Sequence, residues 1–303
     1  MRIVSLAPPA LGFLLAPLLF GLINRTKAFF AGRTGPPLLQ PYFDLWKLLQ
    51  KGAVYSRTTT WVFRAGPVVG LACAIVAVAL VPLGSLPAPL AFEGDLLLLA
   101  CVLGLMRFFT VIAALDTGSA FEGMGASREV TFSALAEPAL LLGLAALTRQ
   151  TGSLSLSGML PSISVGTWFT AGPVLALVAA ALLVVFLAEN ARIPVDDPNT
   201  HLELTMIHEV IVLDHGGPDF AFILYGAALK LWVLGAILVG LLVPGRGVNP
   251  WIEGALALGG MAALAVVTGV IESVMARLRL SRVSHLLVGA GVLSAMALLL
   301  VVR

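Results

Sequence analysis

A chain of 303 residues in which 59% are hydrophobic and only 11% charged departs far from a soluble domain, where about a quarter of the residues carry charge. Its formal charge of +2 is too small to argue for a nucleic-acid partner. Its two cysteines, Cys73 and Cys101, fall inside apolar runs and form no CxxC, so neither a disulfide framework nor an iron–sulfur or zinc site is readable on this chain.

Crossing a ~30 Å hydrocarbon core takes about 20 apolar residues in helix. Such runs recur at 3–23, 62–82, 96–116, 131–147, 168–188, 220–243, 252–273 and 284–302, each closed by charges, glycine or proline. They predict an all-α integral membrane protein, a single transmembrane domain over residues 1–303 built as a bundle of about eight helices. The first run follows a lone Arg2, contains Pro8, Pro9 and Pro17, and lacks a small-residue cleavage site before Arg25; it reads as a retained helix. The run at 131–147 is the shortest.

Orientation follows from the bases near the helix ends, because cytoplasmic loops hold the excess of Lys and Arg. The loop after the first span carries Arg25, Lys27, Arg33, Lys47, Lys51 and Arg57, with Arg64 just beyond, and the loop after the seventh adds Arg277, Arg279 and Arg282. The opposite side holds Arg2, Arg149, Arg246 and Arg303. Both termini are therefore expected outside a cell inner (cytoplasmic) membrane, with the first, third, fifth and seventh loops in the cytoplasm.

Within the first of these loops, PPLLQPYFDLWKLLQKG sets Gln40, Asp44, Lys47 and Lys51 at helical spacing among Leu39, Phe43, Leu45, Trp46, Leu48 and Leu49. One narrow polar stripe results, as in an amphipathic interfacial helix. Pro41 is expected to confine the helix to the residues after it. That helix anchors the chain to the bilayer surface or docks a partner.

The loop from Glu189 to Asp219 is the densest in titratable groups. It holds Glu189, Asp196, Asp197, Glu203, Glu209, Asp214 and Asp219, seven of the sixteen acids, with His201, His208 and His215 and the base Arg192. After Pro198, the run HLELTMIHEVIVL predicts a helix capped by Asn199 or Thr200, with His201, Thr205, His208 and Val212 on one face. Interleaved with Leu, Ile, Met and Val, such a segment suits a proton relay pressed against a bundle, where burial raises carboxylate pKa values. The alternative is a solvated acidic loop. Metal-ligating residue types are present, but without HExxH or diagnostic spacing, and no metal is assigned.

Charges also fall within the spans: Arg107 in mid-span, Glu137 just before Pro138, Lys230 in the sixth, Glu272 near the end of the seventh, and Asp116 at the end of the third. An intramembrane charge is costly and marks a functional position by default. Glu272 and Asp116 lie near enough to helix ends to snorkel. For Arg107 and Lys230 the alternative is a structural ion pair with a carboxylate.

Four segments together resemble the complex I subunit 1 family, and within it the formate hydrogenlyase subunit 4 branch of group 4 membrane-bound [NiFe] hydrogenases. They are RTGPPLLQPYFDLWKLL (33–49), LDTGSAFEGMGASREVTFSALAEPALLLGL (115–144), AENARIPVDD (188–197) with the ELTMIHE beyond it, and ESVMARLRL (272–280). The resemblance covers nearly the whole chain. It implies a non-catalytic subunit of an oxidoreductase complex, with no redox centre of its own, that anchors an electron-transfer arm and gives ions a path through the membrane. The implied partners are hydrogenase-like large and small subunits, an iron–sulfur subunit carrying [4Fe-4S] clusters, and antiporter-like membrane subunits; whether a [NiFe] centre is retained stays open. By position, Glu137, Glu189, Asp196, Glu203 and Asp214 fall where the family places acids, Arg128 and Glu129 sit in its GASRE motif, and Arg33 and Asp44 belong to the first-loop motif.

Added to the residue reading, this gives a proton path of Glu137, Glu189, Asp196, Asp197, Glu203, His208, Glu209, Asp214, Glu272, Lys230 and Arg107. Arg33, Asp44, Arg128, Glu129, Arg192 and His201 are expected at the loop and partner interface. Where relatives carry a denser acidic run and then Glu-Tyr-Ser-Gly, this chain has Asn199, His201 and Asp214-His215-Gly216. That departure speaks against a quinone pocket like that of complex I and suggests that His201 or His208 takes a proton-carrying position. The alternatives to a coupling subunit are a stand-alone secondary transporter and a purely structural anchor.

Overall fold

A computed structural model describes residues 4–196, 206–245, 247 and 249–302. The first turn, Val4–Leu6, leads into α1, Ala7–Phe30. Then come α2, Gln40–Leu49; α3, Trp61–Leu80; α4, Asp95–Asp116; α5, Ala120–Thr151; α6, Leu156–Ser162; and α7, Val165–Glu189. The chain ends with α8, His208–Ile211; α9, Gly217–Leu242; α10, Pro250–Val274; and α11, Leu280–Val302. Among the described residues, eight helices are long and apolar enough to cross a membrane: α1, α3, α4, α5, α7, α9, α10 and α11. The chain is a multi-pass, all-α membrane protein.

Local chemistry sets several of the helix ends. Thr60 caps α3 through its Oγ1, which accepts from the Val62 N–H. Ser164 and Thr167 form a reciprocal capping box at the start of α7. Asn249 caps α10 ahead of Pro250, the residue type whose missing N–H costs nothing in a first turn. Gly152, at φ +73°, closes α5 in the left-handed conformation that only glycine adopts freely.

Two expectations are corrected. The span placed at 131–147 is the longest helix, 32 residues from Ala120 to Thr151, about 48 Å at 1.5 Å per residue. Its first three turns, AFEGMGASRE, are too polar and too small to read as apolar, yet they are packed: Glu122, Gly125, Ala126 and Glu129 are all buried. Around Gly125 an added Cβ would lie 2.9 Å from Val210 and 3.2 Å from the Ile207 carbonyl oxygen, so α5 continues because α8 lies on it. The helix expected over 201–213 is the second correction. Within its described part only His208–Ile211 forms a helix, with Met206 outside it and Ile207 at its N-cap. Their backbone is drawn off the helix by Asp196, whose Oδ2 accepts from the Ile207 N–H at 3.1 Å and the His208 N–H at 3.2 Å.

In the bundle α3 packs on α4 and α9, α11 on α5 and α7, α1 on α10 and α9, and α5 on α7. The central helix is α9, lined along its length by buried Leu229, Leu231, Trp232, Val233, Ile237 and Leu241. The amphipathic helix α2 lies against α1 and α9. It starts at Gln40, with Pro41 inside its first turn rather than before it. Gln40 Nε2 donates to Asp44 Oδ1 at 2.8 Å along the polar stripe, while Leu39, Phe43 and Trp46 are exposed. The Tyr42 hydroxyl donates to the Leu14 carbonyl of α1.

The α1–α2 approach depends on Gly21, where a Cβ would stand 2.0 Å from the Leu38 carbonyl oxygen. Backbone cannot yield as a side-chain tip does, so Gly21→Ala is expected to lower the thermal unfolding midpoint, at a cost of about 1–3 kcal/mol. Gly104→Ala, where a Cβ meets nothing within 4 Å, is the control and should leave the midpoint unchanged or raise it.

Candidate functional site

The site forms where α4, α5, α7 and α9 each bring one kind of charge to the same depth. Arg107 stands in the apolar run DLLLLACVLGLMRFFTVIAALD of α4, with its side chain 11% exposed. A guanidinium in that position must be paired. Its Nη1 meets Glu137 of α5, its Nη2 lies 2.5 Å from Glu189 Oε1 at the end of α7, and its Nε lies 3.4 Å from Glu129 Oε1, two turns earlier on α5. Glu189 is shared, since Lys230 Nζ of α9 approaches its Oε2 at 3.7 Å. The planar fork of arginine suits it to join several carboxylates at once.

From Glu129 the line of charges turns into the loop. His208 Nε2 lies 3.4 Å from Glu129 Oε2, and its Nδ1 lies 3.9 Å from Asp196 Oδ2. Asp196 is 2% exposed and receives Arg277 Nη2 on its other oxygen at 3.0 Å. Neither imidazole nitrogen makes a hydrogen bond within the described residues; the distances are those of ion pairs that close by a small shift or one bridging water.

These groups open on a cavity of about 240 Å³ between α1, α4, α9 and the loop. Its walls are mostly apolar, with Phe20, Leu103, Met106, Ile223 and Leu224, and Arg107, Glu129, Glu189, Arg192, His208, Glu209 and Lys230 reach into it. The space has room for several waters, since about 10–15 Å³ of such volume admits one. A second cluster stands at its α1 side. Glu272 of α10, its side chain fully buried, pairs with Lys27 Nζ at 2.8 Å and Arg192 Nη1 at 3.3 Å, and the Arg192 guanidinium covers the Phe20 ring at 4.7 Å. Burial pulls the Arg192 pKa below its ordinary value, with the Glu272 carboxylate opposing it.

The fold gathers some of the sequence candidates and separates others. Arg107, Glu137, Glu189, Lys230, His208 and Asp196 are brought together, and Glu209 lines the cavity. Glu129 and Arg192, expected at a loop interface, are 8% and 6% exposed and belong to the two inner clusters. Arg128 ties α5 to the loop, its Nη1 donating to the Met206 carbonyl at 2.9 Å. Glu272 does not snorkel. Neither does Asp116, whose carboxylate accepts from the Thr60 N–H at 2.7 Å and so holds the start of α3 against the end of α4. Asp214 is exposed and sits apart, its N–H donating to Glu122 Oε1 at 3.2 Å. Arg33 and Asp44 are exposed and do not line the cavity. Asp197, His201 and Glu203 lie outside the described residues.

Glu122, Asp95 and Arg277 escape a reading of the sequence alone. Glu122 is fully buried at the start of α5. Asp95, also fully buried, caps α6 through the Leu156 N–H at 2.7 Å and the Ser155 hydroxyl at 2.6 Å. Arg277 reads in sequence only as an orienting base. An acid just after Gly94, or in the first turn of AFEGMG, is the one available signal, and it reads as a helix cap.

A family model described as NADH dehydrogenase matches residues 3–303. Formate hydrogenlyase subunit 4 of Escherichia coli is 32% identical over 274 residues, covering 88% of each chain. Hydrogenase-4 component C of the same organism is 33% identical over 242 residues, covering 80% of this chain and 75% of its own. In fold, the chain is similar to one in the structure of the membrane-bound sulfane sulfur reductase, an archaeal respiratory membrane complex: TM-score 0.82, 19% identity, over 99% of this chain and 98% of that one.

Proposed function

The chain belongs to the NADH dehydrogenase family, and from that premise we propose that it is the membrane-anchoring, ion-path subunit of a hydrogenase-type, complex I-like oxidoreductase complex. It couples electron transfer in a peripheral arm to movement of protons or sodium ions. The observation that carries this reading is the series of charged and titratable groups, each within 3.9 Å of the next, from Arg277 and Asp196 in the loop, through His208 and Glu129, to Arg107, Glu189, Glu137 and Lys230 within the helices. Its Escherichia coli relatives are a formate hydrogenlyase subunit and a hydrogenase component, which supports placing the redox chemistry on partners: hydrogenase-like large and small subunits and an iron–sulfur subunit, with antiporter-like membrane subunits alongside. A [4Fe-4S] cluster takes four thiolates, and this chain has two cysteines; its donor set does not fit one.

Charge arriving near the loop acts first on Asp196 and His208, the groups at the loop end of the series. A proton held at His208 Nε2 passes to Glu129 Oε2, and once Glu129 is neutral Arg107 is left to Glu137 and Glu189 alone. Each protonation redistributes one guanidinium among three carboxylates, which supplies the differential interaction a coupled switch requires. Electrons reaching the arm move nothing without it.

The loop end is read as cytoplasmic and the termini as external, in a cell inner membrane. The amphipathic α2 crosses α1 between Leu14 and Gly21. Phe29 and Phe30 at the end of α1 and Val274 and Met275 at the end of α10 are exposed and offer the arm an apolar seat. Native purification of the tagged chain in mild detergent, followed by mass spectrometry, tests the assignment. Hydrogenase-like, iron–sulfur and antiporter-like subunits are expected in stoichiometric amounts; a folded chain recovered alone would overturn it.

A further inference from the structure

Among the buried titratable side chains outside the Arg107 network, His215, just before α9, has no role in the relay and no ion pair among the described residues to explain it. It is 9% exposed. Its ring stacks on Phe63 of α3, centroids 3.9 Å apart and planes within 8°. Its Nδ1 is buried and finds no hydrogen-bond partner among the described residues, a loss of about 1–3 kcal/mol that a phenyl ring, stacking as well, would avoid.

Around the ring lie a wet side and a dry side. On the wet side Asp214 is exposed, Asp219 of α9 is 8% exposed, and Arg64 of α3 covers the Tyr55 ring at 4.2 Å. Glu122 of α5 accepts the Asp214 N–H, and Asp116 of α4 accepts the Phe63 N–H behind the stack. On the dry side the ring borders a cavity of about 30 Å³, enough for one or two waters. Met106, Thr110, Val212 and Ile223 are walls both of this cavity and of the main one. At this shared wall a Cβ on Gly70 or Gly226 would lie 3.9 or 3.6 Å from Met106.

We propose that His215 is a proton-uptake group, receiving protons from the aqueous side at Asp214 and passing them, through the narrow cavity against Phe63, to the cavity that holds Glu129 and His208. This rests on the ion-path reading and adds an entry to it. Burial holds the imidazole below its usual value, with Asp219 and Asp214 opposing, so at neutral pH the ring is an empty acceptor. The same shift carries a sign for stability: the unfolded chain binds this proton more readily, so stability from this residue falls as pH drops below about 6.5.

The test uses the intact complex in liposomes, with electron transfer and proton uptake followed together from pH 6 to 9. His215→Phe keeps the stack and removes both nitrogens. It is expected to lower protons moved per electron about tenfold and to flatten the pH profile, and His215→Ala should recover uptake when imidazole is added. Wild-type profiles in His215→Phe, or loss in His215→Ala that imidazole leaves unchanged, would overturn the proposal. Should His215→Phe fail to assemble, the imidazole response of His215→Ala decides. Glu189→Gln separates the two claims: if it stops proton movement while His215→Phe does not, the relay stands and the entry falls; if neither changes it, the relay reading fails as well. A wild-type complex that moves sodium and no protons would also overturn the His215 proposal while leaving the ion-path reading intact.

Discussion

Arg107→Leu is expected to destabilise the chain by about 3–5 kcal/mol, the cost of leaving buried charge without its partner, and to abolish ion movement in whatever complex still assembles. The reason is arithmetic at one point in the bundle. Glu129, Glu137 and Glu189 all converge on this guanidinium, so its removal leaves three carboxylates facing one another beside the cavity, with Lys230 and the titratable His208 to answer them. Arg107→Lys should restore part of the stability and little of the coupling, because an ammonium is a point charge that cannot bridge three acids from α5 and α7 at once. Thermal midpoints of the assembled complex, with ions moved per electron, check both halves. Equal behaviour of Arg107→Lys and wild type would show that only net charge matters here and that the bridging geometry does not.

Glu189→Gln removes a charge with almost no change of shape, and its expected effect is on function more than on fold. Glu189 carries two cations, Arg107 on Oε1 and Lys230 on Oε2, and joins the α4–α5 side of the network to α9. The amide still offers Arg107 an oxygen, so the bundle should assemble. Lys230 loses the one carboxylate within ion-pair distance among the described residues, and no proton can be held at position 189. Ions moved per electron are expected to fall on the order of tenfold or more, the factor that about 1.4 kcal/mol makes, with electron transfer in the peripheral arm continuing. Undiminished pumping would take Glu189 out of the path.

Much of the fold is legible in the sequence because the physics is local. A helix that crosses lipid must be apolar for about 20 residues, so all eight spans show in their composition. The start of α5 does not, because its first turns are held by tertiary contact: Gly125 lets Val210 and Ile211 approach, and Glu122 and Glu129 are buried by neighbours far along the chain. The site divides the same way. Arg107 and Lys230 stand out as charges in apolar runs, but which acid meets which base does not, since Arg107 is 30 residues from Glu137 and 82 from Glu189. Lys27 and Glu272, at opposite ends of the sequence, pair because α1 packs on α10. Arg192 reads as a loop base and lies on Phe20 inside the bundle, for the same reason.

The most direct test of the whole account compares the intact complex with the purified chain alone, each in sealed liposomes, with ion-sensitive dyes reporting proton and sodium movement. The account predicts movement in the complex only while its electron donor is being oxidised, and none in liposomes holding the chain alone. Sustained ion movement by the isolated chain, driven by a gradient without any redox partner, would contradict it and make the Arg107 network the site of a self-sufficient transporter.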